Sequence, residues 1–199
     1  MILHLPPMAQ ALGITFISLF VAIDPPMAVP VFVLMTEGAS ARRRFELANE
    51  AILAALTVGL LFLLAGNFFF HMVGITENDF RVAGGIVLLV LSVSTLALPS
   101  AGKGYSSAEN VSGAVPLGVP LIMGPAAITT IILCVHASGY LLTLVAVAAN
   151  LLLVWFALRG SQRLVRWIGL DKIQVMSKIT YLILGAMAVM MIRTGLKAA

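Results

Sequence analysis

Apolar residues fall into six runs, at about 9–35, 47–70, 81–98, 115–135, 140–158 and 179–192. Runs near twenty residues with so few charges have the length of membrane-crossing helices, so the pattern predicts six spans. Between them lie short polar stretches. These are 36–44, which ends in Arg42-Arg43-Arg44; a turn at 74–79; the long stretch 99–112; a minimal turn at 136–139; and a basic segment, 159–178. Thr76 or Asn78 is expected to cap the helix after the second of these. The first part of 159–178 is expected to continue as an amphipathic helix at the membrane surface, with Trp167 at headgroup level.

Two of the runs are interrupted. Asp24-Pro25-Pro26-Met27 stands in the middle of the first, and Met123-Gly124-Pro125-Ala126-Ala127 in the fourth. Pro25 and Pro26 remove two backbone donors and push the preceding residue out of the α region. In lipid, such a break survives only where protein or a water-filled cavity satisfies the freed backbone groups. Paired breaks in corresponding halves of a chain point to a transporter's substrate site. Three helices per half is an odd number, so equivalent halves would need opposite topology. A shift of about 100 residues places Asp24-Pro25 on Gly124-Pro125 and Gly85 on Gly185. The expected fold class is therefore an all-α membrane protein: six transmembrane helices forming an inverted 3+3 repeat, with helices 1 and 4 broken at the midplane. On this reading 1–199 is a single transmembrane domain, with repeats at 1–100 and 113–199 and a cytoplasmic linker at 101–112.

Composition agrees with a bilayer. Hydrophobic residues make up 61% and charged residues 10% of the chain, against about 25% charged in soluble domains, and mean hydropathy is +1.08. The net charge of +4 is explained by topology, not by nucleic acid. Nine of the twelve Lys and Arg residues lie after the first, third and fifth runs: Arg42, Arg43, Arg44, Lys103, Arg159, Arg163, Arg166, Lys172 and Lys178. Arg81, Arg193 and Lys197 lie on the other side. That excess makes the three loops cytoplasmic and both termini periplasmic. The start of the chain has no basic region, so no cleaved signal peptide is expected. Cys134 is the only cysteine, which excludes an intrachain disulfide.

Three strings carry a family resemblance. Asp24-Pro25-Pro26-Met27-Ala28-Val29-Pro30-Val31-Phe32 resembles the N-P-x-G-x-x-P-x-F segment of the MarC family of bacterial inner-membrane proteins. The stretch 115–130, VPLGVPLIMGPAAITT, is similar to that family's V-P-L-A-x-P-L-I-A-G-P-G-A-I-T-T, and Arg81-Val82-Ala83-Gly84-Gly85 to its R-I-A-G-G. The resemblance implies six spans and transport of small neutral amino acids such as glycine or alanine. This chain departs from the pattern in four places. Asp24 stands for Asn, Met27 and Ala126 stand for glycines beside the breaks, and Met190 stands for Gln. The two replaced glycines would narrow backbone access.

The candidate substrate-binding residues are Asp24, Pro25, Pro26, Met27, Gly124, Pro125, Ala126, Thr129 and Thr130. A carboxylate halfway through a span costs about 2.5–3.5 kcal/mol, so Asp24 is expected to face a cavity or a partner. It is read as a proton acceptor or as the site of a substrate ammonium. It can also cap the half-helix that follows, and the two roles coexist. The half-helix starts at both breaks carry partial positive charge and free N–H groups suited to a carboxylate; the bland alternative is a pair of kinked helices without a ligand. Thr129 and Thr130 either add hydroxyls to the site or bond their own i−4 carbonyls. Asn67 and Asn150 read as helix–helix contacts, Gly84-Gly85 and Gly185 as close packing, and His4, His71 and His136 as interfacial residues without metal spacing.

The functional expectation is a secondary transporter or exporter of small neutral amino acids, with Asp24 as the proton-coupling candidate. The alternatives are a non-transporting membrane scaffold or regulator and a drug or metabolite exporter. An intramembrane aspartyl protease needs two carboxylates to share a proton, and Asp24 is the one carboxylate this reading places inside a run. No cofactor is expected: Gly102-Lys103-Gly104 lacks the spacing of a phosphate loop. The expected partners are a neutral amino acid and the lipid bilayer, with no nucleic acid. Oligomeric state is left open.

Overall fold

The computed structural model describes residues 7–36, 38–97, 112–168 and 170–198. The expected linker at 101–112 falls almost wholly outside them, as do His4 and the side chains of Asn67 and Trp167. Eight helical segments follow one another: α1 (Pro7–Ile23), α2 (Pro25–Met35), α3 (Ala41–Val73), α4 (Glu77–Ala97), α5 (Ala114–Ile122), α6 (Pro125–Ser138), α7 (Tyr140–Ile168) and α8 (Leu170–Ala198).

Local chemistry sets most of the boundaries. Ser40 caps α3 by accepting the Arg43 N–H at 3.2 Å. The basic triplet therefore lies inside the helix, with Arg42 and Arg43 paired to Glu46 and Glu50 and Arg44 donating to the Thr36 carbonyl at 3.1 Å. Gly74 ends α3 at φ 74°, its N–H donating to the Phe70 carbonyl, a left-handed stop that glycine adopts without strain. Thr76 and Asp79 form a reciprocal cap at α4. The Thr76 hydroxyl accepts the Asp79 N–H at 3.1 Å, and Asp79 Oδ2 accepts the Thr76 N–H at 2.8 Å. The Thr76 hydroxyl also donates to Asp79, and these bonds hold that exposed carboxyl below its ordinary value. α7 continues through the expected loop start at Arg159 as far as Ile168.

α5 is irregular. Val115 and Val119, each before a proline, are extended as that position favours, and both Val–Pro peptides are cis. Wide-turn bonds run from Gly118 N–H to the Gly113 carbonyl and from Met123 N–H to the Gly118 carbonyl. The segment lies directly on α3. A Cβ on Gly113 would meet the Leu47 carbonyl, and one on Gly118 the Ala51 carbonyl.

Six spans in an inverted repeat are not what the structure contains. Among the described residues three stretches are long and apolar enough to cross a membrane: Met8–Val33, Ala41–Gly66 and Tyr140–Ser161. A fourth is added if α5 and α6, bent by 49° at their break, count as one. α4 opens with Glu77, Asp79 and Arg81, which leaves an apolar stretch at 82–97 shorter than the roughly twenty residues a span needs. α8 opens with Asp171, Lys172 and Lys178 and has an apolar stretch of similar shortness. The break at Asp24 leaves α1 and α2 as a single span; the break at Gly124 bends its pair.

α4 and α8 form a close antiparallel pair. A Cβ on Gly85 would meet the Ala188 carbonyl, one on Gly185 would meet Ser92 Oγ, and one on Gly195 the Asn78 carbonyl. The Ser92 hydroxyl donates to the Tyr181 carbonyl. Asn150 donates to the Phe16 carbonyl at 3.2 Å and to the Ala146 carbonyl at 2.9 Å, tying α7 to α1 in the helix-contact role expected of it. The start of α1, the Gly74 turn and the end of α8 lie at one end of the bundle: Thr15 of α1 meets Ser138 at the end of α6, Gly66 of α3 lies against Ile132 of α6, and Gly195 of α8 lies against Asn78 at the start of α4. The opposite end holds Arg42, Arg43, Arg44 and Arg159, the last stacked over Phe45 and Trp155 at 4.8 and 4.5 Å. Outward faces are apolar along the long helices, for example Ile14, Leu53, Leu64, Leu152 and Phe156, a surface suited to lipid.

Candidate functional site

One residue builds the first break. Asp24 has φ 50°, the only positive φ outside glycine among the described residues. Aspartate tolerates this left-handed conformation better than most side chains. It ends α1 there, donating its N–H to the Phe20 carbonyl at 3.0 Å. The same residue starts α2. Its carbonyl accepts the N–H groups of Met27 at 3.0 Å and Ala28 at 3.3 Å, and its Oδ1 accepts the Met27 N–H at 3.4 Å. Pro25 and Pro26 have no N–H to offer, so the start of α2 has no spare donor. The carboxylate itself is lightly engaged. Its one bond is longer than usual, and it joins none of the ion pairs among the described residues.

The second break is the opposite case. Gly124 is extended at φ −87°, ψ 177°, Pro125 occupies the first position of α6, and no side chain caps the end. The first bond of the helix ladder runs from Ile128 N–H to the Gly124 carbonyl at 2.9 Å. The N–H groups of Ala126 and Ala127 precede it and have no acceptor within the helix. Glycine is required at 124 by close approach: a Cβ there would lie 2.3 Å from the Pro120 carbonyl oxygen.

The two breaks meet in one cavity of about 30 Å³, room for roughly two water molecules. Asp24 and Met27 line it from the first break, and Pro120, Gly124, Pro125 and Ala126 from the second. Leu88 of α4 and Leu184, Met187 and Met191 of α8 complete it. Pro25, which is buried, and Pro26, which is exposed, lie outside the lining. So do Thr129 and Thr130. Thr129 Oγ1 donates to the Pro125 and Ala126 carbonyls at 3.0 and 3.1 Å, and Thr130 Oγ1 to the Ala126 carbonyl at 2.7 Å. Their hydroxyls are engaged by their own helix.

Three contributions were not legible as site residues. Gly84 seats the second break, since a Cβ there would fall 1.7 Å from Pro125 Cγ. Met187 and Met191 share one face of α8 through their i, i+4 spacing. Glu50 lies within the stretch Ala41–Gly66, so Asp24 is not the sole carboxylate in a span. It accepts the Gly113 N–H at 2.8 Å and pairs with Arg43 at 3.1 Å, which anchors the segment leading into α5. The spacing of Arg43, Glu46 and Glu50 on one helical face was the available signal.

Long apolar helices, lipid-suited outer faces and interrupted helices around an internal cavity define an all-α, multi-pass membrane protein. Residues 9–199 match the family described as MarC family integral membrane protein, and the chain belongs to that family. Similar proteins include a UPF0056 membrane protein of Pyrococcus abyssi, 29% identical over 197 residues and covering 96% of each chain. YhcE of Escherichia coli K12, also a UPF0056 membrane protein, is 31% identical over 193 residues, covering 92% of this chain and 90% of that one. YvbG of Bacillus subtilis 168 is 30% identical over 194 residues, covering 92% of each. No solved structure gives a significant match.

Proposed function

We propose that the protein is a secondary transporter or exporter of small neutral amino acids, of the glycine and alanine type, coupled to protons through Asp24. One observation carries the reading: two helix breaks about a hundred residues apart in the chain open on the same cavity. The ends they present are chemically opposite. The start of α6 offers uncapped N–H groups and the positive end of a helix dipole, which suit a carboxylate. Asp24 offers a lightly bonded carboxylate, which suits an ammonium. A zwitterion bridging them, once the cavity has widened, would set its carboxylate on the start of α6 at Ala126 and its ammonium on Asp24. Transport then exposes this site alternately to the two sides of the membrane, and proton binding at Asp24 competes with the ammonium. We place the protein in the inner membrane with the Arg42–Arg44 end in the cytoplasm and both termini in the periplasm.

Purified protein in proteoliposomes tests this. Labelled glycine and alanine are expected to accumulate under an imposed pH gradient and to exchange without one. Absence of both accumulation and exchange, in vesicles shown to contain folded protein, would refute the transporter reading.

A further inference from the structure

We propose that Arg159, set between the rings of Phe45 and Trp155, binds the phosphate of an acidic phospholipid whose acyl chains lie along the outer faces of α3 and α7. The two helices run antiparallel here: Phe45 of α3 meets Arg159 of α7, and Asn49, one turn further in, meets Trp155. The Arg159 guanidinium carbon lies 4.8 Å from the centre of the Phe45 ring and 4.5 Å from that of Trp155. Trp155 is itself fixed. Its indole N–H donates to Asn49 Oδ1 at 2.8 Å, and its ring packs edge-on against Phe156. The charge is therefore held in place by side chains of two helices. Ring faces attract the cation, while its N–H donors still call for an oxygen acceptor.

Among the described residues Arg159 has no carboxylate partner. The acids at this end of the bundle are already taken, Glu46 by Arg42 and Arg43, and Glu50 by Arg43. Arg163, exposed and four residues further on, falls on the same face of α7 and adds a second positive charge. A planar guanidinium matches phosphate with two parallel bonds, so the unmet donors suit that group. Height selects a lipid over a free anion. Phe45 and Arg159 stand near the ends of the membrane-length stretches Ala41–Gly66 and Tyr140–Ser161, at the level of the headgroups, where aromatic rings and arginines gather. One turn deeper, Leu53, Leu152 and Phe156 are exposed and offer an apolar surface to the acyl chains of the same molecule. Charge selects an acidic lipid over a zwitterionic one, because a cationic headgroup would find Glu46 and Glu50 occupied. None of these residues lines the cavity between the breaks, so the lipid site stands whether or not that cavity carries an amino acid.

Trp155 reports on the site from within it. The chain has two tryptophans, so a Trp167→Phe background leaves Trp155 as the only one, and bromine on an acyl chain beside it quenches its fluorescence. The protein is reconstituted into phosphatidylcholine bilayers in which brominated phosphatidylglycerol or brominated phosphatidylcholine replaces a rising fraction of the lipid. Half-quenching is expected at about fivefold less brominated phosphatidylglycerol than brominated phosphatidylcholine, the advantage of one arginine at an anionic surface. Arg159→Gln is expected to remove that preference. Arg42→Gln, which deletes an arginine that is 90% exposed but paired to Glu46, is expected to keep it, and excess inorganic phosphate to leave it unchanged. Equal quenching by the two lipids in the Trp167→Phe chain would overturn the site by itself, whether or not the further variants fold. A preference that survives Arg159→Gln, or that Arg42→Gln abolishes equally, would replace the site with diffuse basic charge. A preference lost to inorganic phosphate would give Arg159 to a free anion, and the lipid site would fall.

Discussion

Asp24 does the work of two residues: its backbone closes one helix and opens the next, while its carboxylate remains largely available. The two functions can be separated by substitution. Asn occupies left-handed backbone nearly as well as Asp and can accept the Met27 N–H, so Asp24→Asn is expected to lower stability by less than the roughly 1 kcal/mol typical of losing a cap. It removes the charge. In proteoliposomes the variant is expected to keep substrate exchange and lose accumulation driven by a pH gradient; retained accumulation would take proton coupling away from Asp24. If the carboxylate also holds the ammonium, affinity falls by roughly 1.5–3 kcal/mol. Asp24 was legible as the place of a helix break, because a residue before two prolines is pushed out of the α region. Thr129 and Thr130 could be read either way, since a hydroxyl's choice between a ligand and its own helix depends on side-chain rotation that spacing does not determine.

Among the elements, the placement of α6 depends on α4. Pro125 rests on the bare backbone of Gly84, so Gly84→Ala is expected to force the break out of position and destabilise by about 1–3 kcal/mol, the usual range for overpacking. A thermal shift assay measures this, with Gly13→Ala as control, because a Cβ on Gly13 has nothing within 4 Å. Equal melting temperatures for the two variants would contradict the contact. The breaks could be located from sequence because Pro-Pro and Gly-Pro change backbone chemistry locally. The number of spans could not. Glu77 and Asp79 stand in a turn by sequence but inside α4 in the structure, and the apolar part that remains is shorter than the roughly twenty residues a crossing needs.

At the scale of the whole molecule, charge is sorted to the ends. Arg42, Arg43, Arg44 and Arg159 gather at one end, and the Gly74 turn marks the other. A reporter active only in the cytoplasm should therefore be active when fused after Ser40 and inactive when fused after Gly74, and a periplasmic reporter should show the reverse. The opposite pattern would invert the proposed orientation. This test requires only that α3 crosses the membrane, which its apolar stretch Ala41–Gly66 is long enough to do.

The unequal helix starts have one more consequence. α2 begins with two prolines and a residue that satisfies its own amides, whereas α6 begins with donors to spare, so an amino acid held between them has a single orientation. The lining comes from unlike sides, Met27 of α2 and Leu88 of α4 among them, so the two substituents on the amino acid's α-carbon would meet different neighbours. Glycine is indifferent to this, because its two hydrogens are equivalent in size. For alanine the mirror images exchange methyl and hydrogen between unlike surroundings, so on the proposed reading the donor imbalance would make the cavity sensitive to the handedness of any amino acid larger than glycine.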